Sequence, residues 1–344
     1  MSPITISLII PVYYGGDNFK ACLASIKTSL RPPDDVIVVA DGETDRSWQV
    51  AEDFGARVIR LSESGGPARA RNIGAKIAQG NILFFIDADV TLHPETLSVV
   101  EQLFLQSPTT SAVIGSYDDA PGASNFLSQY KNLFHHYTHQ VSSEAATTFW
   151  GACGAIDRSI FQAIGGFDEK YTDPCIEDIE LGYRLQAAGY SIRLCKHLQV
   201  KHLKHWTVRS LLKAEIFYRA IPWTKLLLSQ RQIQADLNLS ASNQASVVCT
   251  YLFIISVAIS SWLPQGIVVA LVLSGLLLVI NASVYRFFTR KRGVWFALRV
   301  VPWHWLYFLY GGLAFAYGTV QHYWESIFPS QRHLSYFNPF KRMK

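Results

Sequence analysis

The chain has 344 residues, 49% of them hydrophobic, with 9 Trp, 16 Tyr and 20 Phe, which is long enough for one large domain plus a smaller unit. Its formal charge of +5 is modest and the basic residues gather in the second half, which argues against a nucleic-acid stripe and for anionic lipid. The five cysteines (Cys22, Cys153, Cys175, Cys195, Cys249) stand alone without a CxxC, so neither a zinc ribbon nor a disulfide framework is indicated, and the soluble part is expected in a reducing compartment.

The N-terminus, MSPITISLIIPV, has no basic leader and no small-residue cleavage site, so the first domain is expected to stay cytoplasmic. Ile6 to Val12 reads as a buried strand, followed by a turn at Gly15, Gly16 and Asp17 and a helical pattern through Leu30. Val36 to Ala40 is a second strand ending at Asp41 and Gly42; a helix over Thr44 to Phe54 and a short strand at Arg57 to Leu61 follow. Alternating strand and helix predict an α/β fold, a mostly parallel sheet with helices on both faces and ligands beyond the strands' carboxyl ends. Placed there, Asp41 reads either as an acceptor for a base N–H or ribose hydroxyl, or as a helix cap.

Ser64 to Asn72, SGGPARARN, joins two glycines, a proline suited to the first helical turn and two arginines. It reads either as a phosphate site at a helix start or as a capped turn with solvated arginines. No GxGxxG follows the first strand, so dinucleotide binding is not expected. Ile82 to Ile86 is a run of large apolar residues, a strand buried on both faces that delivers Asp87 and Asp89 at its end. Two carboxylates one residue apart suit Mg2+ or Mn2+ carrying a diphosphate; a polar loop is the plainer alternative.

Beyond this element come a helix from Pro94 to Leu105, a strand near Ala112 to Ser116, and an amphipathic helix from Phe126 to Gln140. His135 and His139 lie on one face of that helix, a pair too small for zinc without a third ligand. A glycine-rich passage over Phe149 to Asp168 leads to PCIEDIEL, where Glu177, Asp178 and Glu180 open a helix. Acids there either complement the helix dipole or supply a general base.

In this order, IIPVYYGGDNF, VVADGETD, GGPARARNIGAKIAQGNILFFIDADV and GGFDEKYTDPCIEDIELGYRLQAAGY resemble glycosyltransferase family 2, inverting sugar-nucleotide transferases with the GT-A fold. The resemblance covers roughly residues 5 to 205. It implies donor contacts at Pro11, Tyr13, Asp41, Arg71, Asn72 and Asp87, a metal held by Asp89 and Asp87 with His202 of VKHLKHW, and a catalytic base at Asp178 beside Glu177. It further implies a Mg2+ or Mn2+ cofactor and a UDP- or GDP-linked sugar donor. Two departures stand out: Tyr14 occupies a place where many relatives have asparagine, and the QxxRW of processive synthases is replaced by QVKHLKHW, so transfer of a single sugar is expected.

Basic residues Lys196, Lys201, Lys204, Arg209 and Lys213 alternate with Leu203, Trp206, Val208, Leu211 and Leu212, a pattern for an interfacial segment or a solvated helix face. A transferase domain over 1–230, with 196–230 interfacial, is therefore expected to precede a helical membrane region over 231–344. Residues 245–263 and 267–285 are each long and apolar enough to span, joined by the turn Pro264-Gln265-Gly266. Arg286, Arg290, Lys291 and Arg292 follow on the side expected to face the cytoplasm of the plasma (inner) membrane. Residues 300–320 span or re-enter, since spanning would put the basic tail KRMK outside. A lipid or polyprenyl-linked acceptor follows from this half. The rival readings are a non-catalytic nucleotide-sugar-binding membrane protein and, from FFIDADVTL, a haloacid dehalogenase-type phosphatase with Asp87 as nucleophile.

Overall fold

A computed structural model describes residues 3–42, 45–107, 109–230 and 240–328. The chain divides into two compact units, Met1–Thr207 and Val208–Lys344, a division inside the stretch expected to be interfacial. Within the first unit the elements run β1 (Ile6–Val12), α1 (Gly16–Lys27), β2 (Asp35–Asp41), α2 (Ser47–Phe54), β3 (Arg57–Leu61), α3 (Pro67–Ile77), β4 (Ile82–Ile86) and β5 (Val90–Leu92). They continue with α4 (Thr96–Gln106), β6 (Ala112–Tyr117), α5 (Phe126–Val141), β7 (Ala145–Ala146), β8 (Cys153–Asp157), α6 (Arg158–Ala163), α7 (Glu177–Ala187) and β9 (Ile192–His202). The helix expected from Thr44 starts at Ser47; Thr44 and the KRMK tail lie outside the described residues.

The strands form one sheet in the order β3-β2-β1-β4-β8-β6-β9-β5, with β7 also on β9. From β3 to β4 all pairings are parallel, as the strand–helix alternation requires. Beyond β4 the sheet is mixed: β8 runs antiparallel to β4 and β6, β6 is parallel to β9, and β5 is antiparallel to β9. Strand order reverses around β1 and β4, which opens the crevice where open α/β sheets bind ligands. Tyr13, Asp41 and the Asp87–Asp89 turn all follow the carboxyl ends of strands lining it.

β4 explains why the sheet has two cores. Ile82, Phe84 and Ile86 face a cluster with residues of α1 and α4, while Leu83 and Phe85 face one with residues of α3, α6 and α7; all five are at most 2% exposed. Alternation on a strand sends successive side chains to opposite faces, so a continuous apolar run is what a doubly covered strand needs. Small residues on α3 (Ala68, Ala70, Gly74, Ala75) let it lie close on the second face.

The second unit is helical: α8 (Val208–Lys213), a π-helical turn over Ala214–Ala220, α9 (Ile221–Gln230), α10 (Ala241–Ile259), α11 (Gln265–Ile280), α12 (Ala282–Arg292) and α13 (Val294–Ile327). Among the described residues α10 alone is long and apolar enough to cross a bilayer; α11 and α12 qualify only as a pair, bent by 63°. The span expected over 267–285 therefore breaks at Asn281, whose buried Nδ2 donates to Ser246 Oγ (2.9 Å) and to Leu277 O (2.9 Å). α13 contains 300–320 with Pro302 inside, but its tryptophans and tyrosines keep its hydropathy below that of a span.

Candidate active site

The Asp87–Asp89 turn is held on both sides. Val90 N–H donates to Asp87 O (3.1 Å), closing the turn into β5. β5 then pairs Val90 with His202, and Leu203 N–H donates to Asp89 O (2.9 Å). This short edge pairing brings a histidine from the end of β9 beside an acid from the end of β4. His202 Nε2 lies 3.5 Å from Asp89 Oδ2, with the histidine side chain 6% and the aspartate 27% exposed. Burial alone would raise the Asp89 carboxyl, but the charge and hydrogen bond of His202, with Lys204 behind, hold it well below the usual carboxylate range.

Asp87 faces other partners. Its Oδ1 accepts from Arg71 Nη2 (2.7 Å), and Arg71 Nη1 donates to Glu177 Oε1 (2.8 Å). Glu177 Oε2 accepts from Cys175 N–H (2.9 Å). Arg71 and Glu177 are both buried, so the guanidinium clamps one acid of each acidic motif across 106 residues of sequence. Planar geometry that serves two carboxylates at once is what arginine supplies and lysine does not. Asn72, expected in the donor pocket, is tied to the glycine-rich passage. Its Nδ2 donates to Phe167 O and Glu169 Oε1 (2.9 Å each), and its Oδ1 accepts from Phe167 N–H (2.9 Å).

Asp41 is 4% exposed and turned toward the start of α3. Oδ1 accepts from Gly65 N–H (2.9 Å), and Oδ2 accepts from Gly66 N–H (2.9 Å) and the Ser64 hydroxyl (2.9 Å). The Gly65 and Gly66 N–H groups of the SGGPARARN stretch are thus taken by a carboxylate of the same chain. Asp41 is bound to the loop that leads into α3, across as many as 25 residues of sequence. Gly42 and Gly66 make this possible: both have positive φ (67° and 88°), and a Cβ would stand 2.4 Å from Ser64 N and 2.3 Å from Thr172 O respectively.

Pro11 sits in β1 opposite Val39, beyond Phe85, where pairing with β4 has stopped, so its missing N–H costs no ladder bond there. Tyr13 and Tyr14 follow at the crevice, 46% and 61% exposed, their rings edge to face at 4.6 Å. Asp178 opens α7 half-buried; Gly151 N–H donates to its Oδ2 (3.1 Å) and Ile179 N–H to its Oδ1 (2.8 Å). His135 and His139 pack tilted against each other at 4.2 Å and against Trp150, and His139 Nδ1 meets Gly115 O (3.1 Å), so they line an aromatic wall.

A residue the sequence did not single out completes the picture. Asn132 on α5, 1% exposed, places Oδ1 2.7 Å from His202 Nδ1, and Tyr117 stacks flat on the same ring at 4.4 Å. One asparagine in an amphipathic helix carries no sequence signal for this. A polar cavity of about 320 Å³ lies nearby, lined by His93, Asp118, Lys201 and others. Asp118 there is already engaged by His93, Lys201 and Ala120 N–H, and Lys201 precedes His202 on a strand, so its side chain leaves the opposite face.

Among the described residues no three His, Cys, Asp or Glu side chains converge as a metal cluster. Asp89 and His202 nevertheless fit a divalent cation. Asn132 Oδ1 carries no hydrogen, so Nδ1 donates to it, and Nε2 either carries a proton toward Asp89, as the lowered Asp89 carboxyl reflects, or presents a lone pair to that carboxylate. Two acceptors at that separation need a proton or a cation between them. A Mg2+ or Mn2+ ion commonly takes only one or two protein ligands and completes its shell from substrate phosphates and water. The phosphatase reading loses its nucleophile, since Asp87 is bound by Arg71 and ends the fourth strand of the chain, not the first.

Residues 7–165 match the family described as glycosyl transferase family 2, and residues 133–206 match one described as the N-terminal domain of galactosyltransferase. The glycosyltransferase YibD of Escherichia coli is 31% identical over 105 residues, which cover 29% of this chain and 30% of YibD, so the match spans less than a third of that relative. The O-antigen chain rhamnosyltransferase RfbN of Salmonella typhimurium is 24% identical over 233 residues, covering 63% of this chain and 74% of RfbN. Among solved structures, the mannosyltransferase PcManGT of Pyrobaculum calidifontis, with GDP-Man and Mn2+, aligns at a TM-score of 0.53 and 17% identity over 92% of this chain and 88% of that one. Residues 1–349 of S. aureus TarS, with UDP-GlcNAc, align at 0.50 and 17% over 66% of each chain.

Proposed function

We propose that this chain, which belongs to glycosyl transferase family 2 and has the GT-A fold, moves one sugar from a nucleotide diphosphate sugar to a lipid-linked acceptor at a membrane, with inversion. The observation that carries the reading is the facing pair Asp89 Oδ2 and His202 Nε2 at the end of the central strand. Asp89 and His202 would hold Mg2+ or Mn2+, which when bound supplies positive charge against the diphosphate as the sugar leaves. Nucleotide sugars bound to PcManGT and TarS, and Mn2+ in the former, support the same donor class and ion here.

The remaining work falls to the chain itself. Tyr13 offers an exposed ring at the crevice for a base, and Asp41 Oδ1, with one N–H already accepted, retains a lone pair for the ring N–H of uracil or guanine. Arg71 fixes Asp87 through an ion pair at 2.7 Å. Asp178 is oriented by two backbone N–H groups at the start of α7 and takes the proton of an acceptor hydroxyl attacking the sugar from the side opposite the leaving group. Glu177 supports this site through Arg71 and is a positioning group rather than the base.

The membrane side of the reading rests on α10, a 19-residue apolar helix with little of its surface buried, and on α11, whose Ile267, Val268, Leu271, Val272 and Val279 are all at least half exposed. Arg286, Arg290 and Lys291 lie exposed on α12 after the bend, and by the positive-inside rule they support a cytoplasmic side of the plasma (inner) membrane for that end.

Mass spectrometry of lipid extracts from cells making the parent protein or Asp178→Asn tests the reading. A lipid that gains one sugar mass only with the parent supports it, and the variant should be slower by about 10²- to 10⁴-fold. Full activity of Asp178→Asn would remove the hydroxyl acceptor, because a phosphate acceptor needs no base. No glycosylated lipid with either protein would remove the lipid acceptor.

A further inference from the structure

His202 stands at the metal site by the reading above, and its ring is held by groups outside that site. Nδ1 lies 2.7 Å from Asn132 Oδ1, and Tyr117 stacks on the ring at 4.4 Å with 3° between the planes. Stacking fixes the plane of an imidazole but leaves it free to present either nitrogen. Only a directional partner selects which nitrogen carries the hydrogen. Asn132 is the one hydrogen-bond partner on the Nδ1 side, it is 1% exposed, and its Nδ2 has no partner among the described residues. A buried amide nitrogen left unpaired is costly, and leucine would fill the same space without that cost. What leucine cannot do is accept from Nδ1–H. The unpaired Nδ2 is therefore the signature of a side chain kept at this place for its oxygen.

We propose that Asn132 is the positioning residue that fixes the His202 tautomer, so that the Nε2 lone pair is presented beside Asp89 for a divalent cation. Ligating histidines are commonly held this way, the second nitrogen donating to a carbonyl or carboxylate, and loss of such a partner weakens metal binding by about 10- to 100-fold. Tyr117 supplies the plane and Asn132 the polarity, from β6 and α5, while the ligand itself comes from β9.

The inference rests on the metal-site reading, and one set of titrations separates the two. Mn2+ is titrated into the purified full chain in detergent, with UDP and separately with GDP present, and bound ion is followed by electron paramagnetic resonance. Parent, His202→Ala, Asn132→Leu and Asn132→Asp are compared, each checked for a parent-like melting temperature. Asn132→Leu should bind Mn2+ about 10- to 100-fold more weakly. Asn132→Asp, which can only accept from Nδ1–H, should bind at least as tightly as the parent. If Asn132→Leu does not fold, Asn132→Ala takes its place with the same expectation. Binding by Asn132→Leu equal to the parent, with His202→Ala weakened, overturns the role of Asn132 and leaves the metal site intact. Weakening in Asn132→Asp as large as in Asn132→Leu also overturns it, because the oxygen would then not be what matters. A parent that binds no Mn2+ with either nucleotide overturns both.

Discussion

The two acids that end β4 are one residue apart, and the regions around them differ in kind. On one side Asp87 meets Arg71, and through it Glu177, in a closed set where each charge has its counter-charge within 2.8 Å. On the other, Asp89 faces His202 at 3.5 Å, two groups that meet with lone pairs unless something positive lies between. The first region is held by direct ion pairs and reads as architecture. The second is complete only with a proton or a metal, and reads as chemistry. A short turn thus divides the labour of a motif whose two carboxylates look equivalent in sequence.

Breaking the closed side should have the largest effect on stability. Arg71→Ala would leave the buried Glu177 carboxylate without its partner, and disruption of a buried pair costs about 3–5 kcal/mol. A clear fall in melting temperature of the purified full chain is expected, whether or not Mn2+ is present. An unchanged melting temperature would mean that the clamp is not structural.

A similar contrast holds between the units. The sheet unit buries most of its apolar residues, while α10 and α11 leave Ile255, Leu252, Val268 and Val272 exposed, the pattern expected of helices that lie in lipid. Ile255→Arg should lower recovery in the membrane fraction, since a charge near a span's centre costs about 2.5–3.5 kcal/mol on insertion. Recovery equal to the parent would argue that α10 does not cross the bilayer.

The smallest effect belongs to acid stability on the open side. The Asp89 carboxyl is held below its ordinary range by His202, so its contribution is complete above the unfolded carboxylate pKa of about 4 and fades as pH falls below it. In chelator, Asp89→Asn should therefore lose less stability than the parent between neutral and acid pH. Parallel denaturation curves for the two proteins would show that the pair carries no such linkage.

Much of this was legible in the sequence because it is local. The apolar run of β4 announces a strand covered on both faces, and its terminal acids and the ED pair stand at the strand end and helix start expected of them, whereas the end of β9, which carries His202, lies in a stretch read as interfacial. What was not legible depends on long-range geometry. Asp41 spends three acceptor positions on the loop before α3, which nothing near Asp41 encodes. Arg71 reaches Glu177 across 106 residues, and Asn132 reaches His202 across 70, each as one polar residue in an ordinary helix. The parallel half of the sheet follows from the alternation of elements. The mixed half does not, because β8 inserts between β4 and β6. Likewise hydropathy ran straight through Asn281, where a buried amide and a 63° bend end the helix.

The central claim is that Asp89 and His202 together hold a divalent cation on a nucleotide diphosphate. Calorimetric titration of Mn2+ into the full chain with UDP or GDP, repeated with Asp89→Ala and His202→Ala, tests it most directly. The account predicts binding by the parent and a loss of more than about tenfold in each variant, since removing even an outer partner of a metal ligand costs that much. Equal Mn2+ binding by all three proteins would contradict it.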